Sequence, residues 1–90
     1  MRLDIFLKQS RLVPRRTLAQ QMCEAGAVSL NGAPAKSARE VRAGDTIALR
    51  QRGRITTARV LDVPARPPSK AAASSLYEIL GVESEQEPLE

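Results

Sequence analysis

The chain has 90 residues, which bounds it to one small domain with a modest core and leaves no room for a large catalytic domain. Aromatic residues make up 2% of it, Phe6 and Tyr77, so the core falls to Leu, Val, Ile and Ala, and stacking of bases on a sheet is excluded as the main mode of recognition. All 14 Lys and Arg lie at or before Lys70, opposed there by five acids, and the other five acids lie beyond it; a body of net charge +9 therefore precedes a segment of −5 within the overall +4.

A basic body with an acidic end points to a polyanion as partner, nucleic acid first. The single Cys23 excludes an intrachain disulfide, and without His the usual Cys and His zinc site has no ligands, so no metal or other cofactor is expected. No early apolar run reads as a signal peptide, and none approaches the roughly 20 apolar residues of a membrane helix. A cytoplasmic protein with no membrane partner is expected.

The first segment, Arg2 to Gln9, places Leu3, Phe6, Leu7 and Ser10 on one helical face and Asp4, Lys8 and Arg11 on another, with Asp4 ahead of Lys8 as a favourable exposed pair. A second helix is predicted to start with Pro14 at its first position, where a missing N–H leaves no bond unmade, and to end at Gly26. Leu18, Ala19, Met22 and Cys23 make its apolar face; Arg16, Gln20, Gln21 and Glu24 fall on the other side. After Gly26 the period changes to two, with Val28 and Leu30 facing one way, and Asn31-Gly32 is the strongest short hairpin signal.

Ala33 to Ala35 returns as a brief strand that Pro34 confines to an edge, and Lys36 to Arg42 connects while burying Val41. A turn at Ala43-Gly44-Asp45 leads to a strand over 46–50 with Ile47 and Leu49 on one face. Arg52-Gly53 turns into another strand over about 55–63, whose imperfect alternation calls for a bulge. Pro64 to Pro68 stops the sheet, Ser69 caps a short helix that Gly81 ends, and the Glu- and Ser-rich remainder is too apolar-poor to fold.

The inventory for catalysis is poor: no His, no Gly-rich phosphate loop, and a lone thiol on an apolar helix face, where Cys23 reads as a small core residue rather than a nucleophile. Asp45 reads as a turn residue rather than a general base. The informative constellation is basic, Arg2, Lys8, Arg11, Arg15, Arg16 and Lys36, with Thr17 as a hydroxyl donor. It lies at the start of the first helix, on its polar side, around the start of the second and just after the hairpin. Helix starts offer unpaired N–H groups that favour anions, and the phosphate backbone is the natural ligand. Arg50, Arg52, Arg54 and Arg59 read as solvated charges that guard a sheet edge.

Over about two-thirds of the chain, the stretches RLDIFLKQSRL, RRTLAQQMCEAGAVSLNG and AKSAREVRAGDTIAL resemble the alpha-L RNA-binding domain first defined in small-subunit ribosomal protein S-four. The resemblance implies an α+β fold, two short antiparallel helices on a small bent antiparallel sheet, with Arg2, Lys8, Arg11, Arg15, Arg16, Thr17 and Lys36 forming the RNA-binding face. It divides the chain into that domain at 1–63, a Pro-rich linker at 64–70, a short helix at 71–81 and an acidic, disordered tail at 82–90.

Among stand-alone domains of this type, the start RLD.FLK.SRL...RTLA is most similar to the RqcP family of bacterial ribosome quality control. That resemblance implies a non-catalytic monomer that joins obstructed large ribosomal subunits, contacts ribosomal RNA and P-site tRNA, and supports alanine tailing of stalled chains by RqcH. Ile5 and Pro14 stand where such proteins often carry basic residues. The alternatives are a heat-shock relative of the same fold that binds large subunits carrying nascent chain-tRNA, echoed by Arg66-Pro67-Pro68-Ser69 and Leu76-Tyr77-Glu78, and a protein-interaction adaptor that uses Ile5 and the acidic tail.

Overall fold

The computed structural model describes residues 1–84. Leu3, Phe6 and Leu7 recur at helical spacing, and all three are fully buried in the first helix, α1 (Leu3–Gln9), with Ser10 at its end donating its hydroxyl to Leu7 O. Each such side chain contributes roughly 1.5–3 kcal/mol by leaving water. The second helix, α2 (Arg16–Glu24), adds Ala19, Met22 and Cys23 to the same core.

Gly26, at φ +76°, ends α2 in the left-handed conformation that the sequence marks. Its N–H donates to Cys23 O and the N–H of Ala27 to Met22 O, the paired bonds that satisfy the last carbonyls of a helix and turn the chain directly into β1 (Val28–Leu30). Asn31 and Gly32, both at positive φ, then reverse it into β2 (Ala33–Pro34), with Leu30 opposite Ala33. Two further antiparallel strands, β3 (Thr46–Gln51) and β4 (Arg54–Val60), meet across a second two-residue turn at Arg52-Gly53.

The chain continues through α3 (Lys70–Ala73), capped by Ser69 Oγ accepting from the Ala72 N–H, and a 3-10 turn over Ser74–Leu76, to β5 (Tyr77–Ser84). The strands form one antiparallel sheet in the order β2-β1-β3-β4-β5. Val28, Leu30, Ile47, Leu49, Ala58 and Val60 point from it toward α1 and α2, and Val13, Val41 and Leu76 close the sides of the core. The molecule is elongated, 48 × 25 × 22 Å.

Three expectations are corrected. Pro14 lies two residues ahead of α2, not at its first position. Val13 is pinned into the core with its N–H on Leu7 O, and the chain spends Pro14 and an extended Arg15 leaving it before the helix begins.

The helix expected over 71–81 stops after its first turn and is replaced by β5, which reaches into the segment expected to be disordered from residue 82. Leu76, Ile79 and Leu80 fit a helical stripe, but a helix of that length is marginal in water, whereas the open edge of β4 offers a ladder running from Val60↔Tyr77 to Arg54↔Ser84. Gly81 accordingly sits in the strand, without positive φ. The rest of the expected tail, 85–90, lies outside the described residues.

The strand expected over 55–63 ends at Val60, and the bulge it called for lies in its partner. Thr57 pairs with Gly81 and Ala58 with Ile79, which leaves Leu80 as the extra residue of β5.

Candidate nucleic-acid interface

The centre of the basic face is an acid. Asp4 stands about 60° from Leu7 around the helix, at the margin of the apolar arc rather than opposite it. Packing of α2 on α1 removes it from solvent, leaving its side chain 0% exposed. The expected exposed pair with Lys8 is not formed: Asp4 Oδ1 accepts from Arg2 Nε (3.2 Å), and Asp4 Oδ2 accepts from Arg2 Nη2 (3.3 Å), Arg16 Nε (3.1 Å) and Gln20 Nε2 (2.9 Å). Burial alone would push the Asp4 carboxyl up. The bonds from Gln20, Arg16 and Arg2, with the Arg16 charge, outweigh burial and hold it below the usual carboxylate range.

Asp4 therefore orients two arginines. Arg16 is held through Nε, which leaves both terminal nitrogens of its guanidinium unengaged among the described residues, and its side chain is half exposed. Arg2, at the N-cap of α1, is held side-on and is likewise half exposed. Arg15 at the N-cap of α2 and Thr17 in its first turn flank Arg16, both exposed. Anchored guanidinium forks beside a helix start suit phosphate oxygens.

Lys8 and Arg11 line a separate open depression with Gln9, Pro14, Pro67 and Pro68. Arg11 holds a left-handed backbone, φ +63°, where the chain leaves α1, a position that Gly or Asn would take without strain. Lys36 sits beside Ser37 at a third depression with Cys23 and Glu24. Its loop is tied to the start of α1, because Asp4 N–H donates to Ser37 O and Leu3 N–H to Arg39 O.

The structure thus joins Arg2 and Arg16 through Asp4, sets Arg15 and Thr17 beside them, and leaves Lys8, Arg11 and Lys36 as flanking charges. Lys8, Arg11, Arg15 and Lys36 are exposed and form no ion pair among the described residues. Sequence reasoning missed Asp4 and Gln20 as the support of this face. The signal available for Asp4 was its place at the edge of the apolar arc; for Gln20, 16 residues away, no local pattern exists. Arg39, whose carbonyl holds the start of α1, was also passed over as a further exposed charge.

Asp45 is a turn residue, as expected. It accepts from Asn31 Nδ2 and from the Arg42 N–H, while Asn31 Oδ1 accepts from the Thr46 N–H, so the β1–β2 turn is fastened to the start of β3. Burial raises the Asp45 carboxyl, but the Asn31 and Arg42 bonds with the Arg39 and Arg42 charges bring it below the usual range. Cys23 is buried, and burial with the nearby Asp4 charge pushes its thiol up, against use as a nucleophile.

A family model described as the S4 domain matches residues 1–47. Proteins named RQC P-site tRNA stabilizing factor are similar over most of their length. That of Halalkalibacterium halodurans is 43% identical over 79 residues, covering 88% of this chain and 89% of its own. That of Bacillus subtilis is 40% identical over 80 residues, covering 89% and 92%, and that of Helicobacter pylori 51% identical over 65 residues, covering 72% and 77%.

Among solved structures, the trimeric Heat Shock Protein 15 of Vibrio cholerae superposes with a TM-score of 0.80 at 33% identity, over 88% of this chain and 80% of that one. A hypothetical protein solved in solution superposes with a TM-score of 0.71 at 40% identity, over 98% and 100%. With the helix pair, the sheet and the basic face in place, the chain belongs to the S4-domain family, within the group of RQC P-site tRNA stabilizing factors.

Proposed function

We propose that this chain is a non-catalytic factor of bacterial ribosome quality control that binds obstructed large ribosomal subunits in the cytoplasm and stabilises the P-site tRNA there. The observation that carries this reading is the face built on Asp4. Two anchored arginines lie at or near the two helix starts. Four exposed cations, without an ion pair among the described residues, lie at the start of α2, at the end of α1 and in the loop after β2, matched to phosphates and not to base edges.

Arg2, Arg15, Arg16 and Thr17 grip one stretch of RNA backbone, and Lys8, Arg11 and Lys36 extend the contact to either side. Ribosomal RNA and tRNA presented together convert many weak phosphate contacts into a specific one, since each contact raises the effective concentration of the next. By holding the tRNA, the protein supports alanine tailing by RqcH, and it is a monomer off the ribosome.

In a reconstituted reaction with large subunits, alanyl-tRNA and RqcH, the protein lengthens alanine tails, and charge reversal at Arg15 abolishes the gain. Tail lengths indifferent to the protein, with RqcH active, reject the role. The second reading is a heat-shock type of subunit binding, favoured by the superposition on Heat Shock Protein 15. Under that reading the protein binds loaded subunits equally well but leaves tail length unchanged.

A further inference from the structure

The two edges of the sheet are built differently. β2 closes one edge with two residues, one of them Pro34, and offers almost no ladder to a passing chain. β5 closes the other with eight residues and no Pro, Lys or Arg; its inner edge is on β4, and it stands last in the strand order of the sheet. Of the usual guards of an edge it has a bulge, at Leu80.

Ile79, Leu80 and Val82 are 46%, 43% and 56% exposed, and among the described residues Leu61 is the one other exposed large apolar side chain. The register sets Ile79 and Val82 opposite Ala58 and Thr56, on the core-facing side of the sheet, yet both stay exposed at its edge. The strand's two charges are Glu78 and Glu83, opposite Arg59 and Ile55 on the other side. Both are exposed, and neither forms an ion pair among the described residues.

We infer that β5 is a docking edge for an extended segment of a protein partner that alternates basic and apolar residues and adds to the sheet as a further strand. Backbone groups of β5 supply the ladder; Glu78 and Glu83 receive the basic residues on one side, and Ile79 and Val82 the apolar ones on the other. A second copy fits less well. Pairing of two full β5 strands, antiparallel and symmetric, would set Glu78 against Glu83 twice and bring together two chains of net charge +4. RNA would meet carboxylates here, since both charges of β5 are acidic.

The inference is independent of tRNA binding and is tested off the ribosome. Isotope-labelled full-length chain is titrated with a peptide alternating Lys and Val, and with a control alternating Glu and Val. The expected result is resonance shifts and slowed amide exchange confined to β4 and β5, with the Lys-Val peptide binding at least about tenfold more tightly than the control.

Glu78→Lys with Glu83→Lys abolishes that preference, and Val82→Lys weakens both, while β4–β5 amide protection and RNA binding by the helix face are retained. Equal affinity for the two peptides overturns the inference, as do shifts that map to α1 and α2, dimerisation through β5 without peptide binding, or an RNA oligonucleotide that shifts the β5 amides.

Discussion

At the scale of single residues, the face depends on a buried carboxylate that a sequence reading assigns to solvent. Asp4→Ala removes the acceptor of three side chains at once. Because Arg2 and Arg16 are half exposed and rehydrate, the cost is nearer 1–3 kcal/mol than the larger penalty of a fully buried pair. Denaturant melting of the variant at neutral pH measures it.

The sign of the pH dependence follows from the lowered folded-state pKa of Asp4. Its contribution is fully present above the unfolded carboxylate value and is lost as pH falls through the folded one, so stability is level near neutrality and declines below about pH 4. Asp4→Asn is expected to be less stable at pH 7 and to flatten that acid limb. An unchanged limb in the variant assigns the decline to Asp45 instead.

The same geometry separates two neighbours that look equivalent in the sequence. Arg16→Ala weakens RNA binding and also leaves Asp4 short of a partner, so it loses stability as well. Arg15→Ala, with no ion pair to break among the described residues, is expected to weaken subunit binding by about 1–3 kcal/mol at an unchanged melting midpoint. Arg11→Gly moves the two properties in opposite directions: it relieves a left-handed backbone and keeps or raises stability by up to about 1 kcal/mol, while weakening binding. Paired melting and binding curves check both.

At the scale of elements, the unit from α2 through β2 is legible because its signals are local. Gly26 and Asn31-Gly32 are required by positive φ, and the switch of period from helix to strand falls between them. Gly26→Ala meets open space, so its expected cost of about 1–2 kcal/mol is backbone strain alone, and RNA affinity per folded molecule is unchanged. A thermal melt with a binding titration at saturating folding conditions decides it.

β5 was illegible for the converse reason. Leu76, Ile79 and Leu80 satisfy a helical spacing, and what overrides it, the unfilled edge of β4, lies some twenty residues away in the chain, as the pair Ala58↔Ile79 shows. Asp4 belongs with β5: its partners Arg16 and Gln20 are brought to it by packing that no window of sequence displays.

At the scale of the whole molecule, the division of charge was readable from the chain, and the fold turns it into a basic helix face and an acidic far strand. Binding through about 4–7 phosphates implies a slope of log K against log salt of roughly −3 to −6, with each removed phosphate contact reducing it by about 1.

The most direct measurement of the central claim is the affinity of the purified protein, at one fixed salt concentration, for large ribosomal subunits that carry peptidyl-tRNA and for the same subunits emptied of it. The account predicts markedly tighter binding to the loaded subunits, with the difference erased by charge reversal at Arg15. Equal affinity for loaded and empty subunits, or a preference for loaded ones that survives that reversal, would contradict it.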